Sequence, residues 1–165
     1  MAEEIERKFL LQDDRWRAAA TASSRFSQGY LVSSPQLVVR VRLEDNGAQL
    51  TVKGATDGIG RLEYEYPVPP ADAREMLGRL CQRPLIEKRR FFVPYGDHLW
   101  EIDEFEGDNA GLVVAEIELK AEDEAFQRPP WLGREVTGDA RYYNACLGKR
   151  PYRDWSEDPE RADDR

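Results

Sequence analysis

What most constrains this chain is where its charges fall. In one predicted strand after another, acidic and basic residues take every second position and apolar residues fill the positions between. Glu4, Glu6 and Lys8 share one parity. So do Arg40 and Arg42, Thr51 and Lys53, Glu63 and Glu65, Lys88 and Arg90, Glu101 and Asp103, and Glu116, Glu118 and Lys120. Strand side chains alternate between two faces, so each set points one way. The opposite parity holds Ile5, Phe9, Val39, Val41, Val52, Tyr64, Ile102, Ile117 and Leu119. Alternation of this kind also describes any half-exposed antiparallel sheet, whose surface ion pairs are worth little. Here, however, the polar parity is almost wholly Glu, Asp, Arg and Lys, whereas a solvent face mixes in Thr, Ser and Gln. A sheet closed into a barrel could turn these charges inward, with helices covering part of the apolar exterior. Unpaired buried charge is too costly for such a lumen to be dry, so it would hold water, ions and a charged ligand. Periodicity alone does not choose between the two orientations.

The alternating runs predict about eight strands, over residues 4–10, 26–31, 38–43, 49–53, 61–68, 86–93, 99–105 and 112–120. Asp45-Asn46-Gly47 is a strong hairpin turn, and Pro67 demotes the end of the fifth run to a sheet edge. Helices are predicted over 13–22, 70–81, 122–127 and 139–147. The class is mainly β (α+β): one antiparallel domain over 1–150 with peripheral helices. The stretch 151–165 is expected to be a charged, frayed tail.

Composition removes several functions. The 165 residues carry a formal net charge of -8, which disfavours a general nucleic-acid binder. Residues from Arg153 onward hold three positive and six negative side chains, so part of that acidity lies in the tail. No apolar stretch approaches the roughly 20 residues of a membrane helix, and the charged start does not read as a secretory signal. Cys81 and Cys146 form no CxxC pair, and His98 is the only histidine, in an expected solvent-exposed turn. Zinc sites, His-based triads and disulfide frameworks are therefore disfavoured. No phosphate-binding glycine loop or nucleophile-elbow motif is present. The expected setting is cytoplasmic. Clustered carboxylates suit a hard divalent cation such as Mg²⁺ or Mn²⁺, and clustered Arg and Lys suit phosphate oxygens.

Several segments carry a resemblance in a fixed order: Glu4-Ile5-Glu6-Arg7-Lys8 (an ExExK motif), Gln28-Gly29-Tyr30-Leu31, Val39-Arg40-Val41-Arg42, Thr51-Val52-Lys53, Glu63-Tyr64-Glu65, Lys88-Arg89-Arg90, Ile102-Asp103-Glu104-Phe105 and Glu116-Ile117-Glu118. Together they resemble the CYTH family, the triphosphate tunnel metalloenzymes, over residues 1–150. The resemblance implies an eight-stranded antiparallel β-barrel forming a tunnel, with the charges inward, and metal-dependent chemistry on a triphosphate. It implies that Glu4, Glu6, Glu63, Glu65, Asp103, Glu116 and Glu118 hold one or two metals, and that Lys8, Arg40, Arg42, Lys53, Lys88 and Arg90 cradle phosphates. It marks Lys53 and Lys88 as catalytic lysines, with Tyr30 reaching the lumen to position substrate. Glu101 and Lys120 are weaker matches, facing solvent or the rim.

The expected reaction is hydrolysis of inorganic tripolyphosphate, a small-molecule substrate, to pyrophosphate and phosphate. The family also hosts class IV adenylate cyclases and organic triphosphatases acting on thiamine or nucleoside triphosphates. A non-catalytic polyphosphate- or nucleotide-binding module is the rival from another class. No nucleic-acid or membrane partner is expected. The sequence leaves the oligomeric state open, a homodimer included.

Overall fold

A computed structural model describes residues 3–157. Nine strands appear: β1 (Glu3–Leu11), β2 (Ala22–Ser33), β3 (Leu37–Glu44), β4 (Gly47–Gly54), β5 (Gly60–Pro67), β6 (Ile86–Tyr95), β7 (His98–Phe105), β8 (Val113–Leu119) and β9 (Leu132–Glu135). The sheet runs β5-β4-β3-β2-β6-β7-β8-β1-β9, and β5 also pairs with β1. That last pairing, Glu3 opposite Leu62 and Glu4 opposite Arg61, closes β1 to β8 into an eight-stranded antiparallel barrel. Closure removes the sheet edges that an open antiparallel sheet would expose. The short β9 joins β1 next to an irregularity between Phe9 and Leu11, outside the closed ring, and no alternation in the sequence signals it.

Closure decides which parity faces in. Ile102, Ile117, Leu119 and Phe9 point outward and are buried beneath Trp16, Trp131 and Phe126 from the connecting segments. Val41 and Ala48 lie beneath α2 (Pro70–Arg79), whose Ala73 and Leu77 face the barrel. The segment that follows α2 explains Gly29: a Cβ there would come within 2.8 Å of both Cys81 and Leu85. Strand β5 has no such cover, and Leu62, Tyr64 and Tyr66 are exposed.

The helical expectations are corrected in detail. The stretch 13–22 yields only α1 (Trp16–Ala19), because β2 takes over from Ala22. Residues 122–127 form no helix. Instead Glu124 accepts a bond from the Lys120 amide and meets His98, which is therefore partly covered rather than a free turn histidine. The stretch 139–147 splits into a 3-10 turn, Ala140–Tyr142, and α3 (Asn144–Lys149).

The largest correction concerns the tail. Tyr152 and Trp155, within a 3-10 segment (Tyr152–Glu157), are buried, Trp155 completely. They join Tyr142 and Leu147 in one cluster with Leu10, Ile86, Phe105 and Val114, which are inward-facing residues at one end of β1, β6, β7 and β8. Residues 136–155 thus close that part of the barrel end instead of fraying. The rest of the expected tail, 158–165, lies outside the described residues.

Candidate active site

The inward parity lines one cavity of about 770 Å³. Of the residues picked out in the sequence, Glu4, Glu6, Lys8, Tyr30, Arg40, Arg42, Lys53, Glu63, Glu65, Lys88, Arg90, Glu116 and Glu118 all reach it, as does Glu101. Asp103 and Lys120 do not line it.

The two signs of charge take opposite walls. Neighbouring strands β5, β1 and β8 carry Glu63 and Glu65, Glu4 and Glu6, and Glu116 and Glu118. Strands β4, β3 and β6 carry Lys53, Arg40 and Arg42, and Lys88 and Arg90. Lys8, on β1, is the cation placed within the acidic wall. It meets Glu116 at 2.9 Å and Glu6 at 3.8 Å. Where the two walls meet, Lys53 on β4 stands 3.3 Å from Glu63 on the neighbouring β5 and from Glu4 on β1.

Among the expected metal ligands, Asp103 is the one that does not line the cavity. It is fully buried. Its Oδ1 accepts from Arg90 Nε at 2.7 Å, and its Oδ2 accepts from Lys88 Nζ at 2.7 Å and Arg90 Nη2 at 2.9 Å. Three cationic donors occupy both oxygens, so Asp103 anchors Lys88 and Arg90 in the cationic wall. The carboxylate that joins the cavity from β7 is Glu101, which accepts from Arg90 at 2.7 Å.

Burial and neighbouring charge perturb several of these groups. Burial, with the nearby Arg90 and Arg42, pushes the Lys88 ammonium down to about 7 despite Asp103. Burial and Arg40 take Lys53 down to about 8 against the pull of Glu4 and Glu6. Burial, Arg40 and Arg90 take Arg42 down to about 9. On the acidic wall, burial and Glu116 push Glu6 up to about 7. Burial and Glu4 also raise Glu118. Burial opposes the charge on Glu116 too, yet Lys8 and Arg90 hold it well below the usual carboxylate range. The cationic wall is thus short of negative charge and the acidic wall short of positive charge.

Arg40 Nε is buried without a hydrogen-bond partner, and Glu63 Oε2 makes no hydrogen bond, though the Lys53 ammonium lies 3.3 Å from it. An unmet guanidinium donor calls for an anionic acceptor. Among the described residues, no three carboxylates form a ready-made metal cage. The donor set is nonetheless all oxygen, which suits a hard divalent ion that completes its coordination with water and ligand oxygens.

Two residues of the site escaped sequence reasoning. Gln28 is completely buried and donates to the Tyr30 hydroxyl at 3.2 Å. It shares parity with Tyr30, so the alternation held a signal for it. Asn144, from α3, accepts from Lys88 Nζ at 2.8 Å, and nothing in its local sequence marks it.

Comparison with known proteins agrees with this geometry. The model of the CYTH domain matches residues 2–143. An inorganic triphosphatase of Acetivibrio thermocellus is 46% identical over 157 residues, covering 95% of this chain and 100% of that protein. An inorganic triphosphatase of Nitrosomonas europaea is 36% identical over 152 residues, covering 87% and 95%. The crystal structure of an inorganic triphosphatase superposes with a TM-score of 0.63 at 33% identity, covering 88% of this chain and 97% of that one. A Hippeastrum protein described as a putative adenylyl cyclase with dominant triphosphatase activity shares the fold, with a TM-score of 0.58 at 14% identity over 72% of this chain and 80% of that one. A closed barrel with inward charges in this order, matched over most of its length, places the chain in the CYTH domain family.

Proposed function

We propose that this protein hydrolyses inorganic tripolyphosphate to pyrophosphate and phosphate inside the barrel, with Mg²⁺ or Mn²⁺. One observation carries the reading: a cationic and an acidic wall face each other across one cavity, each left electrostatically incomplete. A metal–polyphosphate complex completes both at once. The names of the relatives at 46% and 36% identity support the inorganic substrate.

Arg40, Arg42, Arg90 and Lys8 bind the non-bridging oxygens, and Arg40 Nε has a free donor for this. Lys53 and Lys88 meet charge that develops at the phosphorus being attacked and on the departing pyrophosphate oxygen. Tyr30, buried at the lumen wall, positions the chain of phosphates. Glu4, Glu6, Glu63, Glu65, Glu116 and Glu118 would hold the metal, directly or through water. The metal supplies charge neutralisation and a more acidic water. Water adds to a terminal phosphorus, the bridging P–O bond breaks, and phosphate and pyrophosphate leave.

The test is product analysis with purified protein at matched concentrations of tripolyphosphate, ATP and thiamine triphosphate, with Mg²⁺, with Mn²⁺ and with excess chelator. The expected result is preferential cleavage of tripolyphosphate that chelation abolishes, with zinc a poor substitute. Cyclic AMP from ATP would make the protein a cyclase. Tight binding without turnover under any divalent metal would make it a binding module.

A further inference from the structure

Hydrogen-bond polarity at the lumen wall can be traced outward from two cations that only donate. Arg42 Nε donates to Gln28 Oε1 at 3.1 Å, so the Gln28 amide turns its Nε2 toward Tyr30 Oη at 3.2 Å and Asn144 Oδ1 at 3.1 Å. Lys88 Nζ donates to the same Asn144 oxygen at 2.8 Å. Asn144 Oδ1 therefore accepts twice, from the barrel lysine and from the barrel amide. Tyr30 Oη accepts from Gln28, which leaves its own proton to be donated elsewhere. Tyr30, Lys88 and Asn144 line the cavity, and Gln28 and Lys88 are essentially fully buried. Asn144 belongs to α3, in the segment that closes the barrel end, and the CYTH match stops at residue 143.

We infer that Asn144 and Gln28 form an amide bridge that positions Lys88 and the Tyr30 hydroxyl, making the C-terminal segment a working part of the active site. The inference rests on the proposed triphosphatase reaction. Lys88 is held from two sides, by Asp103 at 2.7 Å on β7 and by Asn144 on α3. With one anchor lost, the ammonium can swing toward Asp103 and away from the phosphates. Without Gln28, the Tyr30 proton has no fixed direction. Both are positioning residues, because they act through Lys88 and Tyr30.

The experiment is a double-mutant cycle of Asn144→Ala with Lys88→Met, scored on kcat and KM for tripolyphosphate. Asn144→Ala alone should lower kcat about tenfold or more, the size of a lost bond to a charged group, with KM changed less than about threefold. In the Lys88→Met background it should lower kcat no further. Asn144→Asp keeps an acceptor oxygen and should recover most of the lost kcat. Gln28→Met should lower kcat in the same way. An Asn144→Ala effect of the same size with and without Lys88 would overturn the inference, since that is the behaviour of a residue that only stabilises the fold. Failure of Asn144→Asp to recover more than Asn144→Ala would also overturn it. If the wild-type protein turns over no triphosphate, the function reading fails, and the same cycle is scored on tripolyphosphate affinity by calorimetry. There, coupling supports the bridge and additivity rejects it.

Discussion

Asp103→Asn is the sharpest test of how this lumen is held together. The substitution keeps the shape of the side chain and removes one negative charge that answers Lys88 and Arg90. All three groups are nearly or wholly buried, with side-chain exposures of 1% for Asp103, 1% for Lys88 and 9% for Arg90. Removing one partner of such a pair leaves uncompensated buried charge and costs about 3–5 kcal/mol. For a domain of this size, about 2–4 °C of Tm accompanies each kcal/mol, so the ligand-free variant should melt roughly 6–20 °C lower. Breaking the exposed pair Arg79–Glu75, at 75% and 65% exposure, provides the contrast. Arg79→Ala should cost about 0.5 kcal/mol or less. The assay is thermal denaturation of both variants with and without tripolyphosphate. The polyanion supplies the missing negative charge, so it should raise the Tm of Asp103→Asn by more than that of the wild type, while turnover falls because Lys88 and Arg90 are no longer aimed. A ligand-free Tm loss below about 2 °C would refute the argument, since it would mean that solvent or the other carboxylates already screen the pair.

The same electrostatics predict a stability minimum near neutral pH in the ligand-free protein. Glu6 is raised to about 7, so the unfolded chain loses that proton first and stability falls as pH rises from its ordinary value of 4.5 toward 7. Lys88, Lys53 and Arg42 are lowered to about 7, 8 and 9, so the unfolded chain keeps their protons longer and stability recovers at higher pH. Denaturant titrations across pH 5 to 10 would show the dip, and a monotonic profile would count against it. Binding of tripolyphosphate without metal should take up protons at pH 8, measured by calorimetry in buffers of different ionisation enthalpy; net release would contradict the depressed lysines. Trp155→Ala should cost about 3–5 kcal/mol, because the indole is fully buried with its ring centroid 5.2 Å from both Tyr142 and Tyr152. A near-neutral melting shift there would return the segment to the status of a dispensable tail. Gly29→Ala should destabilise by about 1–3 kcal/mol by forcing Cys81 and Leu85, in the segment after α2, away from the barrel, and an unchanged Tm would show that they yield freely.

Much of the site is legible in the amino-acid sequence because it depends on a local rule. Alternation with period two assigns Glu4 and Glu6, Arg40 and Arg42, and Glu116 and Glu118 to common faces whatever the fold, and the ladders keep those assignments, with Lys8 opposite Glu116 and Lys53 opposite Glu63. The Asp45-Asn46-Gly47 turn likewise declares the β3–β4 hairpin, because its chemistry is contained within a few residues.

The direction of those faces is another matter. A strand pattern is unchanged when inside and outside are exchanged, and only the pairing of β1 with β5 turns the charges inward. That pairing joins residues about sixty apart in the chain, and no local preference encodes it. Tertiary structure also sets the fate of individual groups. Asp103 has the parity of a metal ligand, yet Lys88 and Arg90 converge on it across β6 and β7 and saturate its oxygens. Asn144 lies in a helix of six residues without a periodic signature, and it reaches Lys88 only because α3 packs under the barrel end. Trp155 sits among charged residues that read as a solvated tail, but its apolar surface meets Tyr142, Tyr152 and the barrel mouth. Parity is a property of neighbours in sequence, whereas charge compensation and burial are properties of neighbours in space, so the sequence alone names the lumen's residues and only the folded chain pairs them.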